Sequence, residues 1–350
     1  MDPLPSISSH PFDRLRRIYL EGKLFSTIKT RLQHRYYGCV SLARRGRIRS
    51  YLRRRTLIGA RYTAFPQLML ALQSFNKDFL LHRSLQPFLN GNLRHLVVFA
   101  DGCTDNTAQK AHHLLSGPDH LVIICNDRHE VRNNRLALEL ARHQDCSFLL
   151  LLQDDDLYPE DLHWLEQGLA LFDRYPRLLV LGFNIGLDFL SFEHASDNYL
   201  ELPLRSRLDV HPNAVGVDGA FLAIRYGLPP HPLEPKFRFC QAVYRAPLLI
   251  RVGPFTEHVG IDPRFAPFQD DDTFFCLKAW SSGWQCGLLA GVPIKRDMGI
   301  GGMRLMGHIG ARRAAHTLDN IRLIHEVYGD SIINGSIAKL VDEANSSRLY

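Results

Sequence analysis

Three consecutive aspartates, Asp154, Asp155 and Asp156, follow a run of leucines in LLLLQDDDLYP, residues 149 to 159. Like charges at contact distance repel by roughly 4 kcal/mol at an effective dielectric near 20, so such a cluster needs an offset. One offset is water and the start of a helix, since Pro159, Glu160 and Asp161 continue the acidic character that helix N-termini favour. The other is a hard divalent cation, which takes carboxylate oxygens and leaves positions open for phosphate oxygens. Asp154 and Asp156 alternate, so on extended backbone both face one side and could share Mn2+ or Mg2+. A second acidic triplet, Asp270 to Asp272 in PFQDDDTFFCLKAW, offers carboxylates that could remove a proton from a hydroxyl. Its alternative reading is again a helix N-terminus rich in aspartate.

The elements that would position these groups are legible in the hydropathy pattern. From about Gln67, short apolar runs (LMLALQSF, HLVVFA, HLVIIC, SFLLLLQ, RLLVLGF) alternate with segments of helical period (TDNTAQKAHHLLSG, EVRNNRLALELARH, EDLHWLEQGLALFDRY). That alternation predicts βαβ units and an open, mostly parallel sheet covered by helices. Ligands of such sheets sit at the carboxyl ends of the strands. Those ends carry Ser74 and Asn76 after the first run, Asp101 to Asp105 after the second, Asn126 to Arg128 after the third, and Asp154 to Asp156 after the fourth. Polar and acidic groups therefore converge on one edge, although helix capping accounts for part of the 101 to 105 loop.

Composition narrows the class. The chain has 350 residues, 45% of them hydrophobic, enough for one large α/β domain. No stretch reaches the roughly 18 apolar residues of a membrane span, and the opening MDPLPSISSHPFDRLRR lacks the apolar core of a signal peptide, so a cytoplasmic protein is expected. Seven cysteines without a CxxC pair point to reduced, mostly buried thiols. Charge is uneven: residues 1 to 61 hold fifteen Lys or Arg against three Asp or Glu, while the whole chain carries a formal +6. Apolar residues at helical spacing (Phe12, Leu15, Ile18, Tyr19, then Leu24, Phe25, Ile28, Leu32) make this a basic helical arm over residues 1 to 62. With Tyr19, Phe25, Tyr36, Tyr37 and Tyr51 interspersed, it suits phosphate contacts with a nucleic acid, the favoured polyanion, or an anionic membrane surface. A solvated basic face is the plain alternative.

The order of these motifs resembles the family 2 glycosyltransferases of GT-A fold, over about residues 67 to 297. LMLALQSFNKDFLLHRSLQPFL resembles the family's opening strand, Asn turn and first helix, and HLVVFADGCTDNT its second strand with the Asp-Asp-Gly-Ser loop. VRNNRLALELA resembles the Arg-Asn helix, FLLLLQDDDLYPEDL the metal-binding Asp-x-Asp, and FQDDDTFFCLKAWSSGW the late acidic motif before a helix and a glycine. Ala100 stands where an aspartate is usual, Gln153 precedes the triplet, and the late motif reads Asp-Asp instead of Glu-Asp.

The resemblance implies a GT-A type sheet binding a nucleotide sugar, with the glycosyltransferase domain over residues 63 to 300, a nucleotide half to 160 and an acceptor half beyond it. Residues 301 to 350 would form a C-terminal loop and helices. It implies an inverting transfer from a nucleotide-diphosphate donor, UDP-sugar favoured, to an acceptor hydroxyl. Ser74, Asn76, Asp101, Arg132 and Asp155 would hold the donor; Asp154 and Asp156, with His308 or Asp297, would hold the metal; Asp272, with Asp271 next, would be the base. The glycine-rich stretch 298 to 313 reads either as a lid over phosphates or as a plain turn before a helix. The basic arm makes a nucleic acid, such as a hydroxymethylated DNA base, the preferred acceptor, and a lipid-linked or polysaccharide acceptor the alternative. Two rivals share these aspartates. One is a sugar-phosphate nucleotidyltransferase, which would need a glycine-rich loop that LMLALQSFNKD lacks; the other is an inactive nucleotide-sugar-binding protein.

Overall fold

The apolar runs become adjacent strands because each is too short and too uniformly apolar to bury itself in any other way. The computed structural model describes residues 65–89, 93–116, 120–126, 128–191, 221–226, 236–244, 246–295 and 308–347. The basic arm, the glycine-rich stretch up to residue 307 and Asp297 lie outside these. Strands β1 (Phe65–Ser74), β2 (Leu93–Asp101), β3 (His120–Cys125) and β4 (Phe148–Gln153) are parallel, in the order β3-β2-β1-β4. Helices α1 (Leu81–Leu89), α2 (Thr107–Leu114), α3 (Glu130–His143) and α4 (His163–Arg174) connect or follow them, within a residue or a few of the periodic segments in the sequence. Leu68 to Leu72 and Leu149 to Leu152 are buried at the centre of the sheet.

Beyond β4 the sheet is no longer a simple parallel succession. The short strand β10 (Leu248–Arg251) enters antiparallel between β4 and β5 (Leu178–Gly182), and β11 (Gln285–Ala290) and β8 (Lys236–Phe239) complete eight strands in the order β3-β2-β1-β4-β10-β5-β11-β8. The two expected halves, before and after residue 160, thus share one sheet. A smaller antiparallel sheet, β7 (Phe221–Tyr226), β6 (Ile185–Ser191) and β9 (Ala242–Tyr244), lies against it. Their close approach requires glycine: a Cβ on Gly182 would stand 2.7 Å from Val243 Cβ.

Helix α5 (Val252–His258) and a 3₁₀ turn at Pro263–Phe265 lead to α6 (Asp271–Ser281). The chain ends in α7 (His308–Ile333) and α8 (Ser336–Ser346), packed through Ile324, Tyr328, Ile332, Ile337 and Val341. Asn345 of α8 exchanges two hydrogen bonds with the Phe239 backbone of β8, at 3.0 Å each. All described residues belong to one compact unit, Ile58–Tyr350. Among them no helix is long and apolar enough to cross a membrane, and the six cysteines they include are free thiols, five of them buried.

Candidate active site

Register fixes the convergence that the sequence suggests. Gln73 of β1 pairs with Gln153 of β4, and Ser74 with Ala100 of β2, so Ser74, Asp101 and Asp154 emerge at neighbouring positions of one edge. Side-chain hydrogen bonds then tie the loops together. Asn76 adopts a left-handed conformation (φ 51), which asparagine tolerates better than most residues. Its Oδ1 accepts from the Thr104 and Asp105 N–H groups at 2.8 and 3.3 Å, and its Nδ2 donates to Thr104 Oγ1 at 3.2 Å. Asp105 accepts from the Asp78 N–H at 3.1 Å, and the Cys103 thiol donates to the Ser74 carbonyl at 3.3 Å. The loops after β1 and β2 are therefore a single hydrogen-bonded surface.

The acidic triplet sits on this surface, but not on an extended strand. β4 ends at Gln153 and the chain turns at Asp154 and Asp155, so the alternation that would put Asp154 and Asp156 on one side does not apply. All three aspartates are buried, at 6%, 4% and 0% exposure. Ser84 of α1, also buried, pins the turn by donating to the Asp156 carbonyl at 2.8 Å and the Asp154 carbonyl at 3.3 Å. Tyr158 closes it, its hydroxyl accepting from the Gln153 N–H at 2.9 Å and donating to the Gln153 carbonyl at 3.0 Å.

Asp154 Oδ2 accepts from the Phe75 N–H at 2.8 Å and lies 3.9 Å from the ammonium of Lys77, which is itself buried at 3% exposure. Burial drives the Asp154 carboxyl up to about 6; Lys77 pulls it down, Asp155 pushes it up, and the Phe75 N–H and Ser74 hydroxyl hold it down. Lys77 and Ser84 escaped the sequence reading. Only the position of Lys77, directly after the Asn76 turn, could have hinted at a counter-charge.

Asp101 is fully buried and accepts two backbone N–H groups, Arg128 at 2.8 Å on Oδ1 and His129 at 2.7 Å on Oδ2. It thereby fastens the loop after β3 and the start of α3 to the site. Arg132 lies one turn into α3 and is exposed. From the same helix start, the Val131 N–H donates to the Pro267 carbonyl at 3.2 Å and the His129 ring meets Phe268 edge-on at 5.7 Å. The segment it touches leads into α6, where Asp271 and Asp272 form the first turn. Asp271 is buried, and burial, then Asp272, Glu130 and Asp270, raise its carboxyl well above the ordinary aspartate range. Glu130, unforeseen from the sequence, is thus an electrostatic neighbour of the second acidic triplet. Asp272 is half-buried, with Oδ1 accepting from the Thr273 N–H at 2.8 Å. His308 begins α7, and its side chain lies outside the described residues.

Asp154, Asp155 and Asp156 are three buried carboxylates in succession, and carboxylate oxygens are the kind of ligand that a hard cation such as Mg2+ or Mn2+ takes. Among the described residues no group of three or more His, Cys, Asp or Glu is gathered to hold a metal by itself.

No family model and no curated protein sequence matches this chain. Solved structures do match. GalNAc-T7 with UDP, GalNAc and Mn2+ aligns with a TM-score of 0.50 at 11% identity, over 76% of this chain and 49% of that one. S. aureus TarS aligns with a TM-score of 0.41 at 15% identity, over 64% of this chain and 35% of that one. A shorter TarS chain in complex with UDP gives 0.41 and 14%, over 64% and 58%. This chain therefore spans between about a third and three fifths of the structures it resembles. The likeness to GalNAc-T7 is one of fold, of the mixed α/β, GT-A type that the motif order implies.

Proposed function

We propose that the chain is a metal-dependent, inverting glycosyltransferase of family 2 type that moves a sugar from a UDP-sugar to an acceptor hydroxyl. The observation that carries this reading is the junction made by the start of α3. Through it, the carboxyl edge of the sheet, with Ser74, Asp101 and Asp154, is bonded to the segment presenting Asp271 and Asp272. This junction would let a leaving group held at the strand ends and a nucleophile at Asp272 meet. The fold shared with GalNAc-T7, whose structure holds UDP and Mn2+, supports the choice of donor and metal.

The residues divide the work as follows. Asp154 and Asp156 would hold Mn2+ or Mg2+ with the donor's diphosphate, where the cation would supply stabilisation of the departing negative charge, and Asp155 would contact the donor. Lys77 adds a fixed positive charge beside Asp154. Asn76 and Asp101 rigidify the loops around the nucleoside, and Arg132, exposed on α3, is free to reach a phosphate as a cation. Between the two candidate bases, Asp272 is the better. Burial and its acidic neighbours raise the Asp271 carboxyl well above the ordinary aspartate range and so disfavour its ionised, proton-accepting form, whereas Asp272 is half-buried. One direct displacement assisted by Asp272 inverts the anomeric carbon.

For the acceptor, the uneven charge favours a polyanion met by residues 1 to 62, and a nucleic acid carrying a hydroxylated base is our reading. A base within a duplex would have to be flipped out to reach Asp272. Deleting residues 1 to 60 should abolish salt-sensitive retention of DNA; retention only on anionic vesicles would move the acceptor to a membrane surface.

The central test is UDP release from a panel of UDP-sugars with and without Mn2+. Release should need the metal, be abolished by Asp156→Ala, and fall by about 10²–10⁴ in Asp272→Asn, the usual contribution of a general base. Turnover indifferent to EDTA and to both substitutions, or pyrophosphate release from a nucleoside triphosphate, would overturn the proposal.

A further inference from the structure

The backbone entering α6 is unusual. Gln269 (φ 74) and Asp270 (φ 62) lie consecutively in the left-handed region, where side-chain-bearing residues are disfavoured. Asp270 is also the residue from which the helix starts, since its carbonyl accepts the Phe274 N–H at 3.0 Å. Helices ordinarily start from a residue in the extended region. The direction of the first turn, and with it the aim of Asp271 and Asp272, therefore depends on whatever enforces these two residues.

The enforcing groups come from α7. Asn320, 2% exposed, donates from Nδ2 to the carbonyls of Phe268 at 3.1 Å and Gln269 at 2.8 Å. One turn earlier, Thr317 Oγ1 donates to Gln269 Oε1 at 2.6 Å, and His316 places Nε2 3.2 Å from the Phe265 carbonyl. The His316 ring also meets Phe268 edge-on at 5.6 Å, as the His129 ring does at 5.7 Å. The two carbonyls bonded by Asn320 lie on either side of Gln269, the first left-handed residue, and the second leads directly into Asp270. A buried amide with two donors is suited to this, because its neutral fork can satisfy two adjacent carbonyls.

We infer that Asn320 is a positioning residue for the sugar-transfer step: its amide holds the left-handed 269–270 backbone and so aims Asp272 at the acceptor hydroxyl. The inference rests on the reading of Asp272 as the base. The device couples α7 to catalysis through the backbone that leads into α6.

The test uses the full chain, Mn2+ and the UDP-sugar found to turn over, with UDP release as readout. In Asn320→Ala, and more so in Asn320→Asp, whose carboxylate would face two carbonyls, kcat should fall at least tenfold. Donor KM and UDP affinity should stay within twofold. Amide exchange should quicken at residues 270 to 274 and remain unchanged at the Asp154 turn. Adding Gln269→Gly to Asn320→Ala should recover kcat at least threefold, since glycine takes a positive φ without a clamp. A merely structural role for Asn320 would not be repaired in that way. Unchanged kcat in both Asn320 variants, or a loss shared by kcat and KM that Gln269→Gly leaves unrepaired, would overturn the inference while the proposed function stands. If the wild-type chain releases UDP from no UDP-sugar, the functional reading fails first and the inference with it.

Discussion

Replacing Asp101 by alanine tests the arrangement at its most connected point. The carboxylate is fully buried and its two oxygens accept the Arg128 and His129 N–H groups at 2.8 and 2.7 Å. Hydrogen bonds to a charged acceptor are each worth about 1.5–3 kcal/mol, and alanine removes the acceptor from both donors. The expected loss is therefore about 3–6 kcal/mol, a large share of the roughly 5–15 kcal/mol by which a domain is stable. Urea unfolding followed by tryptophan fluorescence at pH 7 measures it. With m near 3 kcal/mol/M for a chain of this size, the midpoint should drop by about 1–2 M. Asp101→Asn keeps one accepting oxygen and turns a donor toward the other N–H, so it should lose about half as much. Because the same loop reaches Pro267 through Val131, amide exchange should quicken at residues 128, 129 and 131 together. A loss below about 1 kcal/mol, with exchange at these amides unchanged, would refute the view that Asp101 fastens α3 to the site.

Two further substitutions probe the second acidic triplet and the packing of the sheet. Asp271 keeps its proton in the folded chain at a pH where the unfolded chain has lost it, so folded protein binds more protons and stability falls as pH rises above about 4. Asp271→Asn should flatten that dependence above about pH 4, by at most about 1.4 kcal/mol per pH unit for one proton. Urea midpoints across the range decide, and an unchanged slope would show Asp271 ionised. On β11, a Cβ at Gly287 would stand 2.4 Å from Phe237 Cε2 and 3.1 Å from the Arg238 carbonyl of the paired strand. Gly287→Ala should cost about 1–3 kcal/mol by overpacking, whereas Gly253→Ala, with nothing within 4 Å, should be nearly neutral. Thermal melts of the two variants side by side provide the comparison.

The sequence by itself determined the elements and the edge. Apolar runs of strand length separated by helical periods dictate βαβ units, and α3 spans the very segment, EVRNNRLALELARH, whose periodicity announces it. Because ligand sites in such sheets lie at strand ends, Ser74, Asn76, Asp101 and Asp154 could be named from their positions alone. These are local properties, encoded within a dozen residues of where they are expressed.

What only the tertiary structure decided is long-range. The antiparallel insertion of β10 between β4 and β5 joins residues about a hundred positions apart on one side and about seventy on the other, and LLIR is too short a run to announce its partners. The turn at Asp154 and Asp155 breaks the strand alternation through hydrogen bonds from Ser84 and Tyr158. The buried Lys77 beside Asp154, the Glu130 beside Asp271 and the Asn320 amide on the 268–269 carbonyls each pair residues that no periodicity relates. Hydropathy patterns report which face of an element is buried. Which charge neutralises which, and which backbone is held in a disfavoured conformation, depends on groups that meet only once the chain has closed on itself.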